Sequence, residues 1–223
     1  MRGESPLPFS LTPAEAIAIQ QRDRHQVTLE DDFGKIEFIG GTDVSSSGED
    51  FFAAFVVLSY PDLALVEVAT AFGKSPFPYL PGLLSFRELP ILLEAWEKLS
   101  LLPDVVLVDG QGIAHPRRFG IASHLGVTLD LPTIGCAKSR LVGKYQEPGP
   151  NKGDSSPLCD KGEEIGKVLR TKKAVSPLFI SCGHQVSLDS ALRIVLSCCT
   201  RYRLPEPTRQ AHLQANIARK EAF

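Results

Sequence analysis

Apolar and polar positions divide the chain into elements with distinct periods. A first helix is expected over residues 11–28. Thr12 supplies an N-cap, Pro13 suits the first helical position and Glu15 stands in the first turn. Ala14, Ile17 and Ala18, with Val27, mark a modest buried face. Three strand-like runs follow: EFIGGTDVSSS (37–47), DFFAAFVVLSY (50–60) and ALVEVATAFG (64–73). Short turns separate them, which predicts an antiparallel meander. FPYLPGLLSFRELPILLEAWEKL then turns helical, with Leu92, Leu93, Ala95 and Trp96 on its buried side. Pro90 suits a helix start better than an interior, so a short turn carrying Glu88, then a kink or break, is expected. VVLVDG is apolar up to Asp109, as in a strand covered on both faces. GIASHLGVTLD reads as a short helix, and LPTIGCAKSRL as a strand ending at Lys138.

Beyond residue 143 the chain becomes polar, and KYQEPGPNKGDSSPLCDKG reads as an exposed loop or weak hairpin. EEIGKVLRT and SPLFISCG are two further strands, a hairpin at the sheet's edge or side. VSLDSALRIVLSCC is an amphipathic helix, and LPEPTRQAHLQANIARK a Pro-rich turn leading into a terminal helix. With neither an internal repeat nor a long linker, residues 1–223 read as one domain. Three meander strands followed by helix–strand–helix–strand is the order of the ribonuclease H-like fold, an α/β mixed sheet with flanking helices.

Composition narrows the class. No apolar run approaches the roughly 18 residues that span a bilayer, so no membrane partner is expected. MRGESPLPFSLTP lacks the charged start and apolar stretch of a secretion signal. Five cysteines at irregular spacing suit reduced thiols in the cytoplasm. Cys182, His184, Cys198 and Cys199 lack the paired spacing of a zinc site, and GQGIAH lacks the glycine pattern of a nucleotide-binding loop. The net charge of −2 conceals −9 over residues 1–105 and +7 over residues 106–223. An acidic site bordered by basic surface would suit a phosphodiester substrate.

Three acids supply the candidate chemistry: Asp43 in a glycine-flanked strand, Glu88 after a Pro/Gly loop, and Asp109 at the end of an apolar strand. In the expected topology the first and fourth strands are neighbours, so the aspartates converge and Glu88 reaches in from a helix. Each acid alone has an ordinary structural reading, as a turn former or, for Glu88, as a partner of Arg87. Together they repel one another, and a hard divalent cation, Mg²⁺ or Mn²⁺, is what keeps such a group ionised.

TDVSSS, FPYLPGLLSFRE, VVLVDGQGIAHPRRFGIASHLG, PTIGCAKSRL and PEPTRQAH resemble the motifs of the endonuclease V family, from about residue 10 to the C-terminus. The resemblance implies a ribonuclease H-like, Mg²⁺-dependent endonuclease acting on DNA at deoxyinosine. It implies a cut at the second phosphodiester bond 3′ to the lesion, leaving 3′-hydroxyl and 5′-phosphate ends. Asp43, Glu88 and Asp109 match the family's catalytic acids, and His212 a histidine near the metal. Lys138 matches a lysine that contacts phosphate or orients the attacking water. His115 matches a motif histidine whose role is left open between phosphate contact, strand positioning and loop structure. Tyr79, in PYLP, matches an aromatic wedge. His124 reads as a packing residue.

Gly82, Gly110, Gly112 and Gly135 are places where backbone can approach a base closely, with Gly82 and Gly110 the stronger pair. Arg117, Arg118, Ser139 and Arg140 are expected at phosphates, with Lys144, Lys172, Lys173 and Arg209 further out. A monomer is expected. Two other readings stand beside deoxyribonuclease activity: cleavage at inosine in single-stranded RNA by the same residues, and a non-catalytic nucleic-acid-binding module.

Overall fold

The computed structural model describes residues 11–75 and 77–222; the initial segment 1–10, from which the lack of a secretion signal was largely read, lies outside them. Among the described residues, eight strands form one mixed sheet: β1 (Phe38–Ser47), β2 (Asp50–Ser59), β3 (Leu65–Lys74), β4 (Val105–Val108), β5 (Thr133–Ala137), β6 (Ser155–Asp160), β7 (Glu163–Leu169) and β8 (Leu178–His184), in the order β3-β2-β1-β4-β5-β8-β7-β6. β1, β2 and β3 are the expected antiparallel meander. β4 pairs in parallel with both β1 and β5. This is the ribonuclease H-like arrangement implied by the element order, with β1 and β4 side by side in the middle.

Helices cover both faces. α2 (Leu84–Trp96) and α3 (Ile121–Leu129) pack with Phe55, Val106 and Val108 on one side. α4 (Leu188–Cys198) and α5 (Glu206–Glu221) pack with Ile39, Val105, Leu107 and Ile180 on the other. Consecutive residues of β4 therefore enter opposite cores, which is why VVLV is apolar throughout. The start of α5 lies directly on β1: a Cβ on Gly41 would stand 2.2 Å from the Pro207 carbonyl. Small residues continue this seam along the helix, with Ala211 and Ala215 fully buried.

Four expectations need correction. α1 (Pro13–Asp23) is shorter than residues 11–28 and ends in a single 3₁₀ turn, Arg24–Gln26. The capping box of Thr12 and Glu15 is present, but the buried face is Ala16, Gln20 and Asp23, with Ala14 and Ala18 exposed. The buried polar positions invert an apolar-moment reading. α2 runs unbroken through Pro90. Proline costs a helix interior about 3 kcal/mol. Burial of Leu89, Ile91 and Leu92 on the same helix, each contributing roughly 1.5–3 kcal/mol, offsets it. Lastly, the polar stretch after residue 143 contains β6, so the edge strand is β6, and β7 and β8 lie within the sheet. Its buried Ser156 and Leu158 alternate with exposed neighbours, and Pro157 is tolerated because the strand is an edge.

Candidate active site

Parallel pairing sets the first two acids level. Thr42 lies opposite Val108, so Asp43 and Asp109 are the next residues on adjoining strands. The Asp109 N–H donates to the Thr42 carbonyl at 3.2 Å, fixing the exit of β4. Both carboxylates are largely covered, their side chains 11% exposed. Glu88 approaches from α2 and feels both of them.

The electrostatics are unfavourable by construction. Burial, then repulsion from Asp109, raises Asp43 to about 6 despite its His212 and Lys138 neighbours. Burial, then repulsion from Asp43 and Asp109, raises Glu88 to about 8, against a smaller opposing pull from Arg87. Lys138, the first residue after β5, bonds Asp109 through its ammonium. The Arg203 guanidinium holds the Lys138 carbonyl at 3.0 Å and the Pro177 carbonyl at 2.9 Å.

His212 projects from α5 to Asp43, its Nδ1 2.7 Å from Oδ2. Asn216, one turn later, donates to His212 Nε2 at 3.1 Å, which leaves the ring proton on Nδ1 to face the carboxylate. Ser45 in turn donates to the Asn216 side-chain oxygen at 3.1 Å. Asn216 and Ser45 were not singled out from sequence, although Asn216 stands four residues from His212 on a helix, a spacing that places two side chains together.

Oxygen donors from Asp43, Asp109 and Glu88 suit a hard divalent ion. Among the described residues, no three or more His, Cys, Asp or Glu side chains stand together as a complete ligand set. Carboxylate oxygens at adjoining strand ends fit a hard divalent ion whose remaining positions are filled by water and substrate oxygens. Cys182, Cys198 and Cys199 are buried, and burial pushes each thiol up to about 12.

Beside Asp109 and Lys138 lies a cavity of about 350 Å³, lined among others by Tyr79, Gly82, Ser85, Gly110, Gln111 and Ile121. Such a volume is in the range of small-molecule sites. Tyr79, 68% exposed, stands at its rim. Gly82 has φ +79°, a conformation that favours glycine, and a Cβ on Gly110 would stand 2.4 Å from Ile121 Cγ2. Gly112 and Gly135 serve internal packing: their added Cβ atoms would stand 2.0 Å from the Cys182 carbonyl oxygen and 2.4 Å from the Gly112 nitrogen.

The expected phosphate contacts divide. Ser139 and Arg140 are exposed at the cavity mouth; Gln111 Nε2 donates to the Ser139 carbonyl at 2.8 Å, and Arg140 donates to the Gly143 carbonyl at 3.0 Å. Arg118 pairs with Asp160 at 3.0 Å and Glu163 at 2.8 Å. Arg117 bonds Gln20 and the Gly82 carbonyl. His115 is buried and bonds the Gly82 carbonyl at 2.9 Å; burial lowers it to about 4, so it is neutral near pH 7. His124 packs between Phe86 and Phe119 and faces Ser85 at 3.1 Å. Lys144, Lys172 and Lys173 are exposed, whereas Arg209 pairs with Glu206.

The family model described as endonuclease V matches residues 21–213. Endonuclease V of Trichormus variabilis is 51% identical over 209 residues, covering 92% of this chain and 95% of that protein. The crystal structure of endonuclease V from Streptomyces avermitilis superposes with a TM-score of 0.92 at 42% identity, covering 97% of each chain. Ciona intestinalis endonuclease V, solved as a D234N variant with a 23mer DNA containing an inosine followed by a ribo-adenosine, gives a TM-score of 0.84 at 31% identity, covering 96% of this chain and all of that one. With the family match spanning most of its length and half its residues shared with such a relative, the chain belongs to the endonuclease V family.

Proposed function

We propose that the protein is a repair endonuclease that takes deoxyinosine out of a DNA strand and hydrolyses the second phosphodiester bond on its 3′ side. Mg²⁺ is the cofactor, with Mn²⁺ as a substitute. The observation that carries this reading is the contact of two features at one place: the cavity beside Gly82 and Gly110 opens onto Asp109 and Lys138. A base held there leaves its 3′ phosphates at the acidic strand ends. Proteins that act on single bases generally extrude them into such a pocket.

Asp43 and Asp109 are the ion's carboxylate ligands, with Glu88 the third acid. When bound, the ion neutralises charge on the phosphate and lowers the pKa of water. Lys138 keeps a positive charge where phosphate oxygens gain negative charge. His212, oriented by Asn216, donates to Asp43 and fixes its free oxygen. Tyr79 fills the gap left by the extruded base, on a loop stiffened by Pro78 and Pro81. Ser139 and Arg140 meet the strand's phosphates, Gly82 and Gly110 the base. All these groups belong to one chain, so a monomer suffices. The cysteines are free thiols, in keeping with a cytoplasmic setting.

The test is cleavage of an inosine-containing duplex with Mg²⁺, Ca²⁺ or no added metal, with the cut mapped. A Mg²⁺-dependent cut at the second 3′ bond is expected. A cut elsewhere, or cleavage independent of divalent ions, contradicts the proposal. The ribo-adenosine following inosine in the Ciona complex favours a second reading, cleavage at inosine in RNA. A matched RNA strand in the same assay separates the two.

A further inference from the structure

The Gly82 carbonyl oxygen receives three hydrogen bonds: from Gln20 Nε2 at 3.1 Å, His115 Nε2 at 2.9 Å and Arg117 Nη2 at 2.6 Å. A carbonyl oxygen has two lone pairs, so three donors more than saturate it. The donors are themselves fixed. His115 Nδ1 accepts the Arg117 backbone N–H at 3.2 Å, which puts the ring proton on Nε2, facing Gly82. Arg117 Nε donates to Gln20 Oε1, and Gln20 Nε2 also reaches the Phe119 carbonyl at 3.0 Å.

Gln20 is wholly buried, and both ends of its amide are used. An interior amide is costly unless it is hydrogen-bonded, and an apolar residue would anchor α1 with fewer requirements. What Gln20 does that an apolar residue could not is hold a peptide 62 residues away. α1 also grips the rest of that segment: Ala16 clusters with Phe77, Leu83 and Phe86, and Ile17, Ile19 and Leu80 pack against them. The loop carrying Tyr79 at its exposed tip and Gly82 on the cavity wall is thus anchored on α1.

We infer that Gln20 is a positioning residue for base discrimination: with His115 and Arg117 it locks the Gly82 peptide, and that peptide forms the wall against which the extruded base is read. The inference rests on the reading that the cavity takes a deaminated base. Turning the Gly82 peptide, whose Leu83 N–H is also bonded to the Leu80 carbonyl at 2.9 Å, would break these hydrogen bonds together, so the wall keeps one shape for every base, and a mismatched edge cannot induce a better fit. Arg117 acts here by its forked geometry, which a lysine cannot reproduce.

The test measures affinity, in Ca²⁺, for matched single strands with and without one deoxyinosine, using wild type, Gln20→Leu and Arg117→Lys. Thermal melting checks that each variant is folded. Preference for the inosine strand is expected to fall about tenfold in both variants, with affinity for the undamaged strand within about twofold of wild type. A folded Gln20→Leu that keeps the wild-type preference overturns the inference, as does a parallel loss on both strands. If Gln20→Leu does not fold, Arg117→Lys decides: an unchanged preference overturns the inference, because the charge is kept and only the fork is lost. A wild type with no preference for inosine contradicts the pocket reading itself, and the inference falls with it.

Discussion

The acidic strand ends and the adjoining cavity share Asp109 and Lys138 but are built on opposite principles. At the strand ends, like charges are forced together: Asp43 is raised to about 6 and Glu88 to about 8 because burial and mutual repulsion outweigh the nearby cations. Around the cavity, the central carbonyl of Gly82 is saturated by Gln20, His115 and Arg117, and His115 is held neutral. The first region sits on rigid central strands and stores electrostatic stress that a cation relieves. The second sits on loops and is made rigid by hydrogen bonds. On the function proposed above, chemistry needs charge that is poised, and recognition needs a wall that does not yield.

Breaking the first region should have the largest effect. Asp109→Ala or Glu88→Ala is expected to lower kcat on an inosine strand by on the order of 10²- to 10³-fold or more. Binding of that strand in Ca²⁺, followed by fluorescence anisotropy, should persist in Glu88→Ala. Equal loss of binding and cleavage would mean that the acids serve the fold or the pocket instead.

A packing change at the seam of the two regions comes next. Gly112→Ala places a Cβ 2.0 Å from a backbone oxygen of β8, which cannot move aside cheaply. Destabilisation of about 3 kcal/mol or more is expected in urea unfolding. A loss below about 1 kcal/mol would show that the loop after Asp109 adapts.

The pH dependence sharpens the contrast further. Folding raises both carboxyl pKa values, from 3.8 to about 6 for Asp43 and from 4.5 to about 8 for Glu88. The unfolded chain therefore ionises first, and protonation favours the folded state. This stability is complete below the unfolded values and is lost as pH rises to about 8. Without divalent ions, Glu88→Gln should therefore melt progressively higher than wild type between pH 5 and 8, by about 4 °C or more at the upper end. A gap that does not vary with pH would remove the electrostatic stress from the account.

Tyr79→Ala should have the smallest effect on the fold. The ring is 68% exposed, so unfolding stability should stay within about 0.5 kcal/mol of wild type. Discrimination between inosine-containing and undamaged duplex should nevertheless fall, while a single strand, which has no partner base to displace, is less affected.

The two regions also differ in how far the sequence disclosed them. Lys138 and His212, the latter on the polar helix α5, were marked only by the motif resemblance. Asp43, Glu88 and Asp109 stand on or directly after elements that the apolar pattern places, so placing the strands placed the acids. The meander, the central β4 and its parallel neighbours were legible for the same reason. Gln20 was not, because its value lies in bonds to Gly82 and Phe119, 62 and 99 residues away, and nothing local to α1 marks it. Arg117 and Arg118 looked alike in HPRR, yet one is drawn to a carbonyl and the other to Asp160 and Glu163 across the sheet. β6 was hidden by the prolines and glycines around it, and the continuity of α2 through Pro90 depends on tertiary burial that a proline rule does not see.

The most direct test of the central claim is an anomalous-scattering map from crystals of the wild-type protein grown with Mn²⁺ and an inosine-containing strand. A peak at coordination distance, about 2.0–2.3 Å, from oxygens of Asp43 and Asp109, with the hypoxanthine ring in the cavity beside Gly82 and Gly110, is the predicted result. Manganese bound away from these carboxylates, or a base stacked within the strand with the cavity unused, would contradict it.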